Sequence, residues 1–322
     1  MLSPERSVSA PTPQDLAEAQ RVVRQYLEPT RTLPLTLAGQ EILAKDETAQ
    51  PTGSFKIRGA LAAVHAVKAQ GLHRAVLTAS AGNHGLGIAL ASRMLGIPAT
   101  IVVPTTASTA KVEKLAKSGA AIVQFGQGFE EAERHALDRS RDHEVAFISP
   151  YNDPHVIAGQ ATIFSELFEA HPFVTQVLVP VGGGGLLAGV LLAAQGTGVT
   201  VIGVQPSANA ALTAALSGTT FVDGPTAADG LAGDLEPGSV TLEIARAAGV
   251  TMVVVSEDAI ARGVVAAQRE LGLALEASAA VGLAAISEGL VDATKTTAVL
   301  LTGRNVSASV LSDLLLRGSQ TL

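Results

Sequence analysis

The chain has 322 residues, long enough for a large core and for two domains. Apolar residues make up 47% and charged residues 16%, which excludes a disordered chain, and a formal net charge of −7 without any Lys/Arg run excludes phosphate-backbone binding as the main activity. Cysteine is absent, so disulfides, thiolate nucleophiles and cysteine-ligated zinc or iron–sulfur centres are excluded together.

The lack of cysteine fits a cytoplasmic protein, and Met1 to Pro13 is polar and proline-bearing with no apolar h-region, which does not read as a signal peptide. Leu16, Ala19, Val22, Val23 and Leu27 predict a helix over 17–27 that Pro29 ends. Pro34 and Leu35 begin an extended lead-in to residues 39–45. Pro51-Thr52-Gly53-Ser54-Phe55-Lys56-Ile57-Arg58-Gly59-Ala60 then sets a lysine in a turn, just ahead of a helical pattern continued by Leu61, Val64, His65, Val67 and Lys68. Read alone, Lys56 fits a solvated lysine at a helix start better than a chemical one.

From residue 75 strands and helices alternate. Strands are predicted over 75–78, 99–104 and 121–125, and helices after residue 85 to Arg93, over 109–118 and over 129–141. This rhythm implies a parallel sheet covered on both faces, a block of about 71–147. A second block follows, with helices over 155–169, 186–194, 257–270 and 278–288 and strands over 176–180, 200–204, 251–255 and 298–302. Residues 177–194 form an 18-residue run without a charge, the length of a short membrane span. Pro180 and the glycines at 182–185 interrupt it, each glycine costing a helix about 1 kcal/mol, so a strand, a turn and a helix explain it better.

Gly182-Gly183-Gly184-Gly185 follows a strand and opens a helix. Glycines let backbone approach an anion, and a helix N-terminus offers unpaired N–H groups and partial positive charge, so the loop reads as a phosphate cradle rather than a flexible turn. It is neither a P-loop nor a G-x-G-x-x-G dinucleotide loop. Ser80-Ala81-Gly82-Asn83-His84 also joins a strand to a helix and suits a carboxylate by the same argument; helix capping by Ser80 and Asn83, and a packed His84, are the plainer readings. For His84 the packed reading is the better one.

Together the lysine stretch, Ser80–His84, the glycine loop and Thr302-Gly303-Arg304-Asn305 resemble the fold-type II pyridoxal-phosphate enzymes, in the serine/threonine dehydratase (threonine ammonia-lyase) and serine racemase branch, over about 32–306. The resemblance implies an α/β fold of two doubly wound parallel-sheet domains, tryptophan synthase β-like: residues 1–70 with 148–322 as the larger, and 71–147 as a smaller inserted one. It implies pyridoxal 5'-phosphate as cofactor, with Lys56 as the catalytic residue and Schiff-base lysine. Phe55 would pack beside the cofactor ring, Asn83 bond its hydroxyl, and Gly182, Gly183, Gly184, Gly185 and Leu186 hold its phosphate. Gly230 would line it and Thr302 face its ring nitrogen. Ser80, Ala81, Gly82, Asn83 and His84 would bind the substrate carboxylate. A hydroxyl such as that of Thr302 can leave the ring nitrogen neutral, which favours β-elimination over aminotransfer.

The expected reaction is elimination from L-threonine or L-serine to a 2-oxo acid and ammonia, by a homodimer acting on a small amino acid without nucleic acid or membrane. Several positions depart from the pattern. Ala81 replaces the serine of the racemases, so little racemisation is expected. Residues 204–211 offer no carboxylate, so no metal is expected there. Arg304 stands where many relatives have glycine, as a solvated side chain or one near the ring nitrogen or a substrate carboxylate. Glu276 keeps a carboxylate of open role. A racemase, a β-replacement synthase, a dehydratase of another 3-hydroxy amino acid, a non-catalytic amino-acid sensor and a nucleotide-binding protein are the alternatives. Only 15 residues follow Ser307, too few for a C-terminal regulatory domain.

Overall fold

In the computed structural model, which describes residues 6–141, 144–292 and 294–320, the strands divide between two sheets. Residues 1–5, and with them the start of the Met1–Pro13 segment, lie outside the described residues.

Helix α1 (Pro13–Tyr26) starts earlier than its apolar spacing suggests. Thr12 and Asp15 form a reciprocal capping box ahead of Pro13, whose missing N–H suits the first helical position. Strands β1 (Thr32–Leu37) and β2 (Gln40–Asp46) then pair antiparallel. The two residues between them, Ala38 and Gly39, both take positive φ, 50° and 76°, as the right-handed twist of a two-residue hairpin requires. Helix α2 (Lys56–Gln70) begins at the lysine itself, so Lys56 is a helical residue rather than a turn residue.

The second sheet comprises β3 (Ala75–Ala79), β4 (Ala99–Val103), β5 (Ala121–Gln124) and β6 (Val145–Phe147), with α3 (Asn83–Leu95), α4 (Thr109–Ala116) and α5 (Phe129–Arg139) between them. Its order is β5-β4-β3-β6, all parallel. Three-residue β6 is too short to leave a pattern of its own and is legible only through its pairing with β3.

Helix α6 (Pro154–Ala170) leads back to the first sheet, which β7 (Gln176–Pro180), β8 (Thr200–Pro206), β9 (Thr251–Val255) and β10 (Thr297–Leu301) complete. The helices here are α7 (Gly185–Ala193), α8 (Ala211–Ser217), α9 (Val240–Ala247), α10 (Glu257–Ala266), α11 (Ala277–Ser287) and α12 (Ala308–Gln320). The order is β1-β2-β10-β7-β8-β9, parallel apart from the β1–β2 hairpin at its edge. Every residue of β7 and β10 is buried, as central strands covered on both faces must be. The run at 177–194 divides into β7, the glycine turn and α7, and no helix among the described residues is long and apolar enough to cross a membrane. Helix α10 stops short of the expected residue 270 because its last turn widens into a π-helical one, residues 267–271.

Parallel pairing aligns the carboxyl ends of the strands. Those of β2, β7 and β10 deliver, in turn, the lysine stretch, the glycine loop and Thr302; that of β3 delivers Ser80 to Asn83. Helix α2 packs against α6 at Gly59 and Gly159, where a Cβ on Gly159 would lie 2.5 Å from the Gly59 Cα. Ile57, Ala60, Leu61 and Val64 of α2 share a buried cluster with Val76 and Ile88, so the helix bearing Lys56 is fastened to the β3 side as well. Each of the valine, leucine and isoleucine side chains among them contributes about 1.5–3 kcal/mol by leaving water.

Candidate active site

The lysine stretch is stitched to the chain beyond β10. Phe55 N–H donates to the Thr302 carbonyl at 3.0 Å, Arg304 N–H to the Gly53 carbonyl at 2.9 Å, and Ser54 and Gly303 form an antiparallel bridge. Thr302 is therefore placed beside the start of α2, and it is buried. Lys56 Nζ donates to the Pro150 carbonyl at 2.9 Å and lies 5.2 Å from the Phe55 ring centroid. Burial brings its ammonium down to about 8, against the opposing pull of Glu276. A neutral amine is thus accessible near neutral pH, which a lysine that must act as nucleophile and base requires. The Ser54 hydroxyl is fully buried without a partner among the described residues.

Beneath Lys56 lies a buried ion cluster. Arg58 donates to both Glu47 oxygens at 2.8 and 2.9 Å and to both Glu166 oxygens at 2.6 and 2.7 Å. Lys45 Nζ reaches Glu166 at 2.9 Å. Forked pairing of this kind fixes orientation as well as charge. It ties α2 to α6 and to the end of β2.

Across the lysine, Asn83 and Asn305 meet on Glu276. Asn83 Nδ2 donates to the carboxylate at 2.8 and 3.1 Å, Asn305 N–H donates at 3.2 Å, and Asn305 Nδ2 donates to Asn83 Oδ1 at 2.6 Å. Burial pushes Glu276 up to about 7 despite those donors. The sequence leaves the role of Glu276 open; the structure makes it the hub joining the β3 loop to the segment after β10. Gly303 leaves the room it needs, since a Cβ there would lie 2.5 Å from its Oε1.

Ser80, Ala81, Gly82 and Asn83 are half-buried, and the N-cap of α3 is Gly82, so neither Ser80 nor Asn83 caps the helix. His84 is not brought together with them. Its ring is buried against the Ile148 carbonyl, and burial, with the charge of Lys56, holds it down at about 3, a neutral packed histidine. Arg304 is exposed, the solvated reading of that residue.

The glycine loop fits a phosphate. Gly184 has a φ of 86°, open to glycine and strained for other residues, and α7 starts at Gly185 with its first N–H groups unpaired by side chains. A Cβ on Gly183 would meet the Tyr151 ring at 2.5 Å, and one on Gly182 would meet the Leu231 Cα at 3.0 Å and the Gly230 carbonyl at 3.4 Å. The loop is therefore bare backbone between Tyr151 and the Gly230 segment, where Gly230 N–H donates to Ser278 Oγ at 3.0 Å. Leu186 is buried behind it. Tyr151 follows Pro150, which holds Lys56, so the loop and the lysine are linked through two consecutive residues. Sequence reasoning missed Tyr151, because nothing local marks an aromatic residue that supports a loop thirty positions on. At residues 204–211, Gln205 Oε1 accepts from Thr213 N–H and Oγ1 at 2.9 and 2.8 Å, and no group of three His, Asp or Glu poised to hold a metal ion occurs among the described residues.

The family described as pyridoxal-phosphate dependent enzyme matches residues 23–303. The chain is 38% identical over 316 residues to the L-threonine ammonia-lyase of Thermotoga maritima, covering 95% of this chain and 79% of that protein. Its structure is similar to that of maize serine racemase, with a TM-score of 0.87 and 28% identity over 97% of this chain and 99% of that one. It is also similar to the processed form of threonine deaminase isoform 2 from Solanum lycopersicum, with a TM-score of 0.86 and 31% identity over 98% of both chains. With a desolvated lysine at a helix start, a bare glycine cradle beside it and this match across most of its length, the chain belongs to the pyridoxal-phosphate-dependent enzyme family.

Proposed function

We propose that the chain eliminates water from a 3-hydroxy amino acid, L-threonine or L-serine, giving a 2-oxo acid and ammonia. The observation that carries the proposal is the placing of one desolvated lysine, Lys56, against a carbonyl whose next residue supports the glycine loop. The likeness to a threonine ammonia-lyase and a threonine deaminase supports the substrate class.

Lys56 would hold the cofactor covalently, Gly182 to Leu186 its phosphate, and Phe55, Asn83, Gly230 and Thr302 its ring. When bound, pyridoxal phosphate draws electrons from the substrate α-carbon and so weakens the bonds around it. Lys56, freed as a neutral amine by its lowered pKa, takes the Cα proton. The N–H groups of Ser80 to Asn83, at the start of α3, orient the substrate carboxylate. Facing the ring nitrogen, the Thr302 hydroxyl would not force a proton onto it as a carboxylate would, which would favour loss of the β-hydroxyl over aminotransfer.

A racemase needs a second base on the opposite face of the substrate, and Ala81 has no proton to exchange. The protein is further read as a cytoplasmic homodimer without a resident metal. Its division into a larger domain, 1–70 with 148–322, and a smaller one, 71–147, is supported by the partition of strands between the sheets.

The test is incubation of the cofactor-loaded protein with L-threonine, L-serine and larger 3-hydroxy amino acids, scoring 2-oxo acid, ammonia and D-amino acid separately. The expected result is 2-oxo acid from threonine or serine with little D-serine. D-serine as the main product from L-serine would turn the reading to a racemase. Gly183→Ala, which drives a methyl into the Tyr151 ring, is expected to weaken cofactor binding by about 1–3 kcal/mol in a titration of the apoprotein.

A further inference from the structure

The support beneath the glycine loop is itself held from outside the site. Tyr151 presses against the loop at two points: a Cβ on Gly183 would lie 2.5–2.7 Å from its ring, and one on Gly185 would lie 2.9 Å from its Cα. The Tyr151 hydroxyl accepts the Glu236 N–H at 2.7 Å. The Glu236 carboxylate is gripped in turn by Arg6, through Nε at 2.6 Å and Nη2 at 3.1 Å, and by Asn152 Nδ2 at 2.9 Å.

The grip closes on the loop from a second direction. Arg6 Nη2 also donates to the Asn152 carbonyl at 2.9 Å, and Asn152 Oδ1 accepts the Val240 N–H at 3.1 Å. Val240 precedes Thr241, whose hydroxyl donates to the Gly183 carbonyl at 2.7 Å. Arg6 lies in the arm before α1, with its guanidinium 5.1 Å from the centroid of the Phe147 ring. It is not needed to start α1, which carries its own capping box at Thr12 and Asp15. The Glu236 side chain is 4% exposed, so removing Arg6 would strand a buried carboxylate. Glu133, on α5, is a second carboxyl close enough to repel it.

We infer that Arg6 and Glu236 are positioning residues for the phosphate cradle: they hold Tyr151 beneath Gly183 and Gly185, so the arm before α1 sets how tightly the loop binds an anion. The inference rests on the glycine loop being the phosphate site, as proposed above.

The experiment is equilibrium binding of pyridoxal 5'-phosphate, and of pyridoxal lacking the phosphate, to the apoprotein of the full chain and of Arg6→Met, Arg6→Lys and Tyr151→Phe. Arg6→Met is expected to bind the phosphate form about tenfold more weakly while its affinity for pyridoxal changes by less than about twofold. Arg6→Lys, which keeps the charge without the fork, falls between. Tyr151→Phe, which keeps the ring and loses the acceptor, shows the same selective loss, and its combination with Arg6→Met adds less than the two single losses. Wild-type affinity in Arg6→Met, or an equal loss of both ligands, overturns the inference. If Arg6→Met does not fold, Arg6→Lys and Tyr151→Phe decide the matter by the same criterion. A wild-type protein that binds both ligands equally would overturn the phosphate reading of the loop and this inference with it; a wild type that prefers the phosphate form beside unselective variants overturns the inference alone.

Discussion

Lys56 stands between two polar clusters that differ in how their charge is balanced. Beneath it, Arg58 and Lys45 face Glu47 and Glu166 with almost no exposure, two cations against two carboxylates. Burial alone would raise Glu166, yet Arg58 and Lys45 hold it below the usual carboxylate range. On the other side Glu276 has amide partners and a backbone N–H but, among the described residues, no cation within ion-pair distance, and burial leaves it at about 7. The first cluster balances its charge within itself, each carboxylate held by a buried cation. The second can gain or lose a proton near neutral pH, with the β3 loop and the segment after β10 both bonded to it.

The largest effect comes from breaking the foundation. Arg58→Met leaves Glu47 and Glu166 buried and unpaired, and is expected to cost about 3–5 kcal/mol in denaturant unfolding. A loss below about 1 kcal/mol would mean that the cluster is solvated and holds nothing.

Glu276→Gln sharpens the contrast. A carboxyl raised in the folded state stabilises fully below its ordinary value of 4.5 and loses that contribution as pH rises through about 7. Glutamine does not titrate, so the variant should gain stability relative to wild type across that window, by chemical denaturation at several pH values. A constant difference would place Glu276 in solvent contact. The same variant removes the charge that holds Lys56 up, so the Lys56 amine should fall below about 8. Labelling of Lys56 in the apoprotein against pH reads this directly, and an unmoved midpoint would uncouple the two residues.

Arg304→Ala should do least. Its side chain is exposed and its backbone N–H keeps its bond to Gly53, so stability is expected to change by less than about 0.5 kcal/mol, with no change in KM for threonine. A large rise in KM would bring Arg304 to the substrate carboxylate.

What the sequence made legible was local. A glycine run between strand and helix and a lysine among turn residues both speak through neighbours in the chain, as do the alternating strands and helices. The hubs did not. Glu276 meets Asn83 across 193 positions and Arg6 meets Glu236 across 230, and such pairs leave no periodicity to read. Arg58 lay inside the motif, but its forked contacts with Glu47 and Glu166 depend on how α2 crosses α6. His84 shows the reverse case: a place in the carboxylate loop and a packed ring were both legible locally, and the packed reading, the better one from sequence, is what the first turn of α3 gives, with the ring buried against Ile148.

Whether Lys56 carries the cofactor and drives elimination is decided by one comparison. Wild type and Lys56→Ala are loaded with pyridoxal phosphate, reduced with borohydride, mapped by peptide mass, and in parallel given L-threonine. The expected result is a cofactor adduct on the peptide bearing Lys56 and 2-oxobutanoate from the wild type, with no adduct in the variant and turnover lower by at least about 10³-fold. An adduct on another lysine, or a Lys56→Ala protein that still completes the reaction, would contradict it.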